Sequence, residues 1–407
     1  MMFYLKLAWR NILRNKRRTI IASIAIGVGL ASMIVTDGIM IGMKNNLVDS
    51  ATSTLLGEAQ IHRKDFRFTQ DVEKTIIKKE PLIKALKKDN SVEKFSERVL
   101  SLGMITSPST AESVIVYGID PESDKFLSKI DDVIKEGTYF EEGSGREVVI
   151  GSRLADVLEV SLGDRIVITV AQAFGGDLSQ EMFLVGGIYN FNVKEMDNGM
   201  VFIRKEKAQK MLNVGSEIHE IAVKFRGLRM SENKKLPFWN KFGSEENEAV
   251  SWTIIMPELK NMLDMTDISL IIMGGILFFV VIFGIINSLF MSLYERMFEF
   301  GILKAVGTRP GGLRKLIIFE AGWLAVISNI IGIILGLIIS LLLVKYGIDY
   351  SGIEIAGAYM DKIFPVMNFI QYIKYPVFVL IFTIIVGFYP AFVAGRMKVA
   401  DALRKSM

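Results

Sequence analysis

The chain has 407 residues, 51% of them hydrophobic, a mean hydropathy of +0.37 and a formal charge of only +4, which gives no basis for nucleic-acid binding. There is no cysteine, so disulfides, thiolate metal sites and a cysteine nucleophile are excluded, and the only two histidines, His62 and His219, lie far apart in sequence and argue against a histidine-ligated metal.

In chain order, residues 1–18 carry six Lys/Arg and no acid, with Phe3, Leu7, Ile12 and Leu13 interspersed. This reads either as an amphipathic segment lying on a membrane surface or as a plain topogenic charge cluster. Residues 19–43, "TIIASIAIGVGLASMIVTDGIMIGM", are the first of four apolar segments long enough to span a bilayer. The run is too long for a signal-peptide core and no A-x-A site follows it, so it is expected to be a retained anchor. Asp37 interrupts it. A carboxylate at that depth is costly and faces a cavity or a partner, unless it sits at the solvated interface. Gly38 and Gly42 after it form a small-xxx-small pair that permits close helix approach.

Residues 44–267 carry strand and helix patterns throughout and are expected to form an α+β domain of two subdomains, inserted between the first and second spans. Strand patterns fall at 58–63, 97–106, 112–119, 147–150, 165–170, 182–189, 199–203 and 220–225, and helical patterns near 71–88, 152–160, 204–213 and 256–266. The segment holds thirty basic and thirty-six acidic residues, a net of −6 that disfavours anionic headgroups and nucleic acid. Within it, Phe174, Gly175, Gly176 and Asp177 separate two strand patterns. They read as a hairpin tip or as a protruding loop that grips a soluble partner.

The second, third and fourth spans are expected at 268–294, 316–344 and 376–395. The 295–315 connection holds five basic and two acidic residues, the 396–407 tail four and one, whereas the 347–375 part of the 345–375 loop holds two basic and three acidic. The positive-inside rule then places both termini and the 295–315 connection in the cytoplasm, with the large domain outside. In that connection "GILKAVGT" has Gly301 and Gly307 but lacks the G-K-[ST] ending that cradles phosphates. No triad, paired-carboxylate pocket or metal-ligand spacing is evident, so the chain itself reads as no enzyme and as binding no cofactor or metal. Glu320, at the start of the third span, is expected to pair with Arg314 or Lys315 or to accept a bond from the preceding connection. Gly332 and Gly336 read as a packing pair.

Several of these stretches resemble the MacB/FtsX-like ABC transporter permeases: "FGILKAVGTRPGGLRKLIIFEA" after the second span, "VIVYGIDPE" (114–122), "EVVIGSRLADVLEVSLGDRIVIT" (147–169), "PAFVAGRMKVADALR" (390–404) and the N-terminal "LAWRNILRNKRRT". The loop after "RIVITV" is most similar to the lipoprotein-releasing (LolC/LolE-type) branch. The resemblance implies a four-span inner-membrane permease with a periplasmic domain and a cytoplasmic elbow helix over 1–18. Its partners would be two copies of a cytoplasmic ATPase that binds ATP and Mg, and a second permease, identical or paralogous. The cargo would be a lipoprotein taken from the outer leaflet and passed to a periplasmic carrier, with 174–177 as the candidate carrier-binding loop. Efflux of small amphiphiles and FtsX-like signal transmission are the alternatives it leaves open.

The family's coupling helix would fall at about 295–306. Phe300, Ile302, Leu303 and Val306 would then dock on the ATPase, Arg296, Glu299 and Lys304 would make polar contacts, and Gly307 would let the chain turn. Asp37 would stand at the mouth of a lipid-accepting cavity between the first two spans, lined by Met33, Met40, Met43, Met262 and Met265, whose soft side chains suit variable apolar cargo.

Overall fold

A computed structural model describes residues 1–140, 145–191, 193–227, 230–355 and 358–399. Two units emerge: one of residues 1–45, 263–350 and 362–407, the other of residues 46–262 and 351–361.

The chain opens with α1 (Met2–Arg14) and α2 (Lys16–Ala51), followed by β1 (Ala59–Arg63), α3 (Phe66–Thr69), α4 (Lys79–Lys87), β2 (Val92–Thr106) and β3 (Ala111–Ile119). Next come α5 (Pro121–Asp124), β4 (Ile134–Gly137), β5 (Glu147–Gly151), α6 (Ser152–Leu158), β6 (Arg165–Ala171) and β7 (Leu178–Tyr189). After them run α7 (Lys194–Gly199), β8 (Met200–Arg204), α8 (Lys205–Leu212), β9 (Glu220–Phe225), α9 (Pro237–Phe242), β10 (Asn247–Ser251) and α10 (Trp252–Ile255). The remainder is α11 (Pro257–Glu295), α12 (Met297–Ala305), α13 (Pro310–Tyr346), β11 (Ile348–Ile355), β12 (Ala358–Ile363) and α14 (Gln371–Arg396).

Among the described residues four helices, α2, α11, α13 and α14, are long and apolar enough to cross a membrane. Each overruns the hydropathy limits read from the sequence, because nothing in the flanking residues stops a helix at the apolar boundary. The helical pattern at 256–266 accordingly runs straight into α11, with Pro257 at its first position, where a missing N–H costs nothing. The helices cross closely where side chains are absent. A Cβ on Gly332 of α13 would meet the Gly27 carbonyl oxygen of α2 at 2.8 Å. Gly38 and Gly42 serve a different neighbour from the helix expected. The extended segment before α14 lies against them, with the Val366 N–H donating to the Gly38 carbonyl at 3.0 Å and the Phe364 carbonyl directly over Gly42.

In the second unit β2 is fifteen residues long and joins two halves of one ten-stranded sheet. Its first half pairs with β9, which continues through β1 to β10. Its second half closes a six-stranded circuit in which β2 pairs with β3, β3 with β8, β8 with β5, β5 with β7, β7 with β6 and β6 with β2. Closure removes free edges. The hand-over falls at Arg98, which is paired to both Ile119 and Glu220 and is fully buried. Its guanidinium donates to Asp124 at 2.8 Å, to Glu220 at 3.1 Å and to the Leu55 carbonyl. Those acceptors compensate the charge that burial would otherwise make prohibitive.

Candidate functional site

At the end of the first unit where α1 and α12 meet α13, α12 is a nine-residue helix set off from α11 by Arg296. Val306 ends it, and Gly307, with φ of +99°, makes a turn that a side chain would strain. Arg296, Phe300 and Lys304 lie one turn apart and point inward. Phe300 is 1% exposed among Ala8, Leu293, Leu313, Leu316, Ile317, Ala391 and Ala394. Arg296 donates to Glu320 at 2.7 Å and to Glu299 at 3.0 Å, and Glu299 also pairs with Arg14. Lys304 donates to the carbonyls of Gly395 at 3.0 Å and Met397 at 2.6 Å, capping the end of α14. Burial opposes the Arg296 charge, but Glu320 and Glu299 outweigh it and its pKa rises. For Glu299, burial pulls upward and the bonds from Arg296 and Arg14 prevail, holding its carboxyl below the usual range.

This corrects the expected docking face. Phe300 belongs to the chain's own core, and Arg296, Glu299 and Lys304 are engaged within the chain. The exposed large apolar residues are Phe298, Ile302, Leu303 and Val306, the last 82% exposed. Glu320 accepts from Arg296 and, at 2.7 Å, from Asn11 of α1; no bond to Arg314 or Lys315 is formed. Nothing in the sequence singled out Asn11 or Phe298.

Between α2, α11 and α14 opens a cleft of about 560 Å³. Met33, Thr36 and Asp37 line it from α2, Asp267 through Phe278 from α11, and Lys374, Tyr375 and Phe378 from α14. Its charged groups gather at one end, where the Gln371 side chain donates to Asp37 at 2.9 Å and Lys44 pairs with Asp267 at 2.7 Å. Phe278, Phe378 and Phe382, with ring centroids 4.6–4.8 Å apart, pack together at its other end. From Asp267 to Phe278 the wall runs about 16 Å at 1.5 Å per residue. Asp37 thus stands at the polar mouth of an apolar cleft, and Met33 lines it. Met40, Met43, Met262 and Met265 do not, so apart from Met33 the large apolar side chains of the wall are leucine, isoleucine and phenylalanine. Met40 continues the stripe of Met33, Thr36 and Asp37 one turn beyond the mouth, and Met265 is turned outward.

In the second unit, β6 and β7 form an antiparallel hairpin closed by the Gln172 N–H donating to the Asp177 carbonyl at 2.9 Å. Gly175 and Gly176 have φ of +94° and +72°, and Phe174 projects outward. Ala173 is buried and its N–H donates to the Leu212 carbonyl, tying the loop to α8. A separate cleft of about 550 Å³ contains Glu58, Glu93, Lys125, Lys129 and Lys224. Burial lifts the Glu58 carboxyl to about 7, against the opposing pull of the Phe225 N–H and Lys224.

Residues 19–230 match the MacB-like periplasmic core domain, and residues 271–399 match the FtsX-like permease C-terminal. Among curated proteins, the lipoprotein-releasing system transmembrane protein LolC of Xylella fastidiosa (strain 9a5c) is 21% identical over 72% of this chain and 73% of its own length. The corresponding LolE of Haemophilus influenzae is 20% identical over 98% of both chains. An uncharacterized ABC transporter permease, MJ1507 of Methanocaldococcus jannaschii, is 24% identical over 51% of each.

Proposed function

Since the chain belongs to the family of ABC transporter permeases with a MacB-like periplasmic core and an FtsX-like C-terminal, we propose that it extracts lipoproteins from the outer leaflet of the inner membrane. The energy comes from ATP hydrolysed, with Mg, by two copies of a separate cytoplasmic ATPase. A second permease, identical or paralogous, completes the assembly, and a periplasmic carrier that meets the 174–177 loop receives the cargo. Both termini and α12 lie on the cytoplasmic side.

The observation that carries this reading is the cleft. Its length of about 16 Å is close to half of a ~30 Å hydrocarbon core, the depth of one leaflet. Acyl chains bring no polar groups, so an apolar wall ending in phenylalanines suits them. The carboxylates and Lys374 at the mouth lie where the cargo's polar linkage would emerge. Extraction by this route takes chains in from the side and pushes them out when the walls close.

On α12, the stripe of Phe298, Ile302 and Val306, with Leu303 beside it, is the docking face for the ATPase. Residues at i, i+4 and i+8 share one side of a helix, and four exposed apolar side chains in nine residues are poorly suited to water.

A photocrosslinker at Met33 or Phe278, in the complex isolated without ATP, should trap an acylated protein, and ATP should abolish the adduct. Met265, which lies off the cleft, is the control position. Adducts with phospholipid alone, or with small hydrophobic compounds, would overturn lipoprotein extraction.

A further inference from the structure

The side chains at the α12 end close into a ring. Asn11 of α1 donates to Glu320 of α13, Glu320 accepts from Arg296, Arg296 also holds Glu299 of α12, and Glu299 pairs with Arg14, back on α1. Asn11 and Arg14 are three residues apart and so share a face of α1. Glu320 and Arg296 are both buried, so neither can exchange its partner for water without desolvation loss. Lys304 adds a second tie, from α12 to the end of α14. Elsewhere α1 is seated on α13 through Trp9 and Trp323, ring centroids 4.7 Å apart, and through the Trp323 N–H bond to the Leu5 carbonyl at 3.3 Å.

α11 is held differently. Arg296, with φ of −108° and ψ of 15°, breaks the helix between it and α12; α11 is the least buried of the four long helices along its apolar stretch, and its last turn is tied to α2 through Arg18, which pairs with Glu295 and donates to Ser292 at 2.9 Å. We infer that the Asn11–Glu320–Arg296–Glu299–Arg14 ring is a transmission yoke that makes α12, α1 and α13 move as one body, with Arg296 as the hinge from which α11 swings. Because α11 supplies one wall of the 560 Å³ cleft and α14 another, a push on α12 shifts one wall relative to the other. The five residues are positioning residues and touch neither cargo nor nucleotide. This inference rests on the reading of α12 as the ATPase-docking helix.

The test uses the complex purified from native membranes through a tag on this chain and reconstituted in liposomes, with a fluorescent palmitoylated protein as probe. The readout is probe released per ATP hydrolysed. Glu299→Gln cuts the ring at its exposed side, and Glu320→Gln cuts it at its buried side. Both should retain the ATPase and its hydrolysis while release per ATP falls about tenfold, a loss within the usual range of coupling between linked sites. Since the chain has no cysteine of its own, an Asn11→Cys, Glu320→Cys pair can be joined by a short bifunctional thiol reagent. Joining should restore release that the unjoined pair has lost. Unchanged release per ATP in Glu299→Gln, or loss of the ATPase from the ring variants, would overturn the yoke. Leu303→Asp separates the two readings. If it sheds the ATPase while Glu299→Gln releases normally, only the yoke fails, and if it keeps the ATPase, the docking reading and the yoke fall together.

Discussion

Phe300 and Leu303 are three residues apart on α12 and should respond in opposite ways to substitution. Phe300 is 1% exposed and enclosed by seven apolar residues from α1, α11, α13 and α14, so Phe300→Ala leaves a cavity that those four helices cannot all collapse into. Burial of that completeness corresponds to about 3–5 kcal/mol for a phenylalanine-to-alanine change. Leu303 is 36% exposed, and Leu303→Asp gives up only part of one side chain's contacts, about 1 kcal/mol. In the docked complex the order reverses. An aspartate pressed into an apolar groove without a partner costs about 3 kcal/mol or more, over a hundredfold in affinity. Thermal melting of the purified chain in detergent should fall by several degrees for Phe300→Ala and barely for Leu303→Asp. Capture of the ATPase by the tagged chain should fail for Leu303→Asp in membranes where the variant accumulates normally. Equal melting for the two variants would show that α12 is rotated from the orientation described. Full ATPase capture by Leu303→Asp would remove α12 from the docking interface.

Glu58 gives a pH signature. Its folded-state pKa, near 7, lies above the ordinary carboxyl value, so the stability it contributes is present below about pH 4.5 and is lost as pH rises through 7. Buried His62, held down to about 4, acts the other way, since its contribution is present above pH 6.5 and lost on acidification towards 4. Glu58→Gln keeps an acceptor for the Phe225 N–H and cannot ionise, so its melting temperature should exceed the unsubstituted chain's at pH 8 and match it at pH 5; a pH-independent difference would refute the burial argument. Orientation is checked by reporter fusions: positions 18 and 300 should read cytoplasmic and position 120 external, and a cytoplasmic signal at 120 would invert the transport direction proposed.

The parts of the fold that were legible are those whose burial follows a simple period. β7 alternates exposed and buried residues from Met182 to Val185, inside the 182–189 strand pattern, and β2, β3 and β6 alternate in part, so their strands are visible as patterns. β4, "IKEG", and β10, "NEAVS", escaped because they sit at the two ends of the sheet order, where one side of the backbone is unpaired and polar residues are favoured. β11 and β12 were missed for a similar reason, a two-stranded hairpin having only edges. The helical pattern at 71–88 shrank to α4 because Pro81 is tolerated only in a helix's first turn, which fixes the start at Lys79. The closed circuit of six strands was beyond reach, since each strand's pattern says which face is buried and nothing about which neighbour it meets.

The coupling stretch shows what information was missing and where it lay. Apolar residues at 300, 302, 303 and 306 look like one face, yet positions 300 and 302 are 200° apart around a helix and cannot share it. Two stripes compete: Arg296, Phe300 and Lys304 on one side, Phe298, Ile302 and Val306 on the other. Both are rich in apolar atoms, so hydropathy alone cannot decide which turns inward. Charge decides it. Glu320 sits near the start of an apolar run whose neighbouring turns offer few donors, and a carboxylate there must be met by a cation. Arg314 and Lys315 lie on the same helix within six residues, but at −6 and −5 they are displaced by 600° and 500°, well off the Glu320 face and over a turn away. Arg296 comes from a different segment, free to approach along the Glu320 direction, and it does so at 2.7 Å. Once Arg296 is turned inward, the 3.6-residue period carries Phe300 and Lys304 in with it and leaves Phe298, Ile302 and Val306 facing out. The rotation of the whole helix is therefore set by one buried carboxylate twenty-four residues away in sequence.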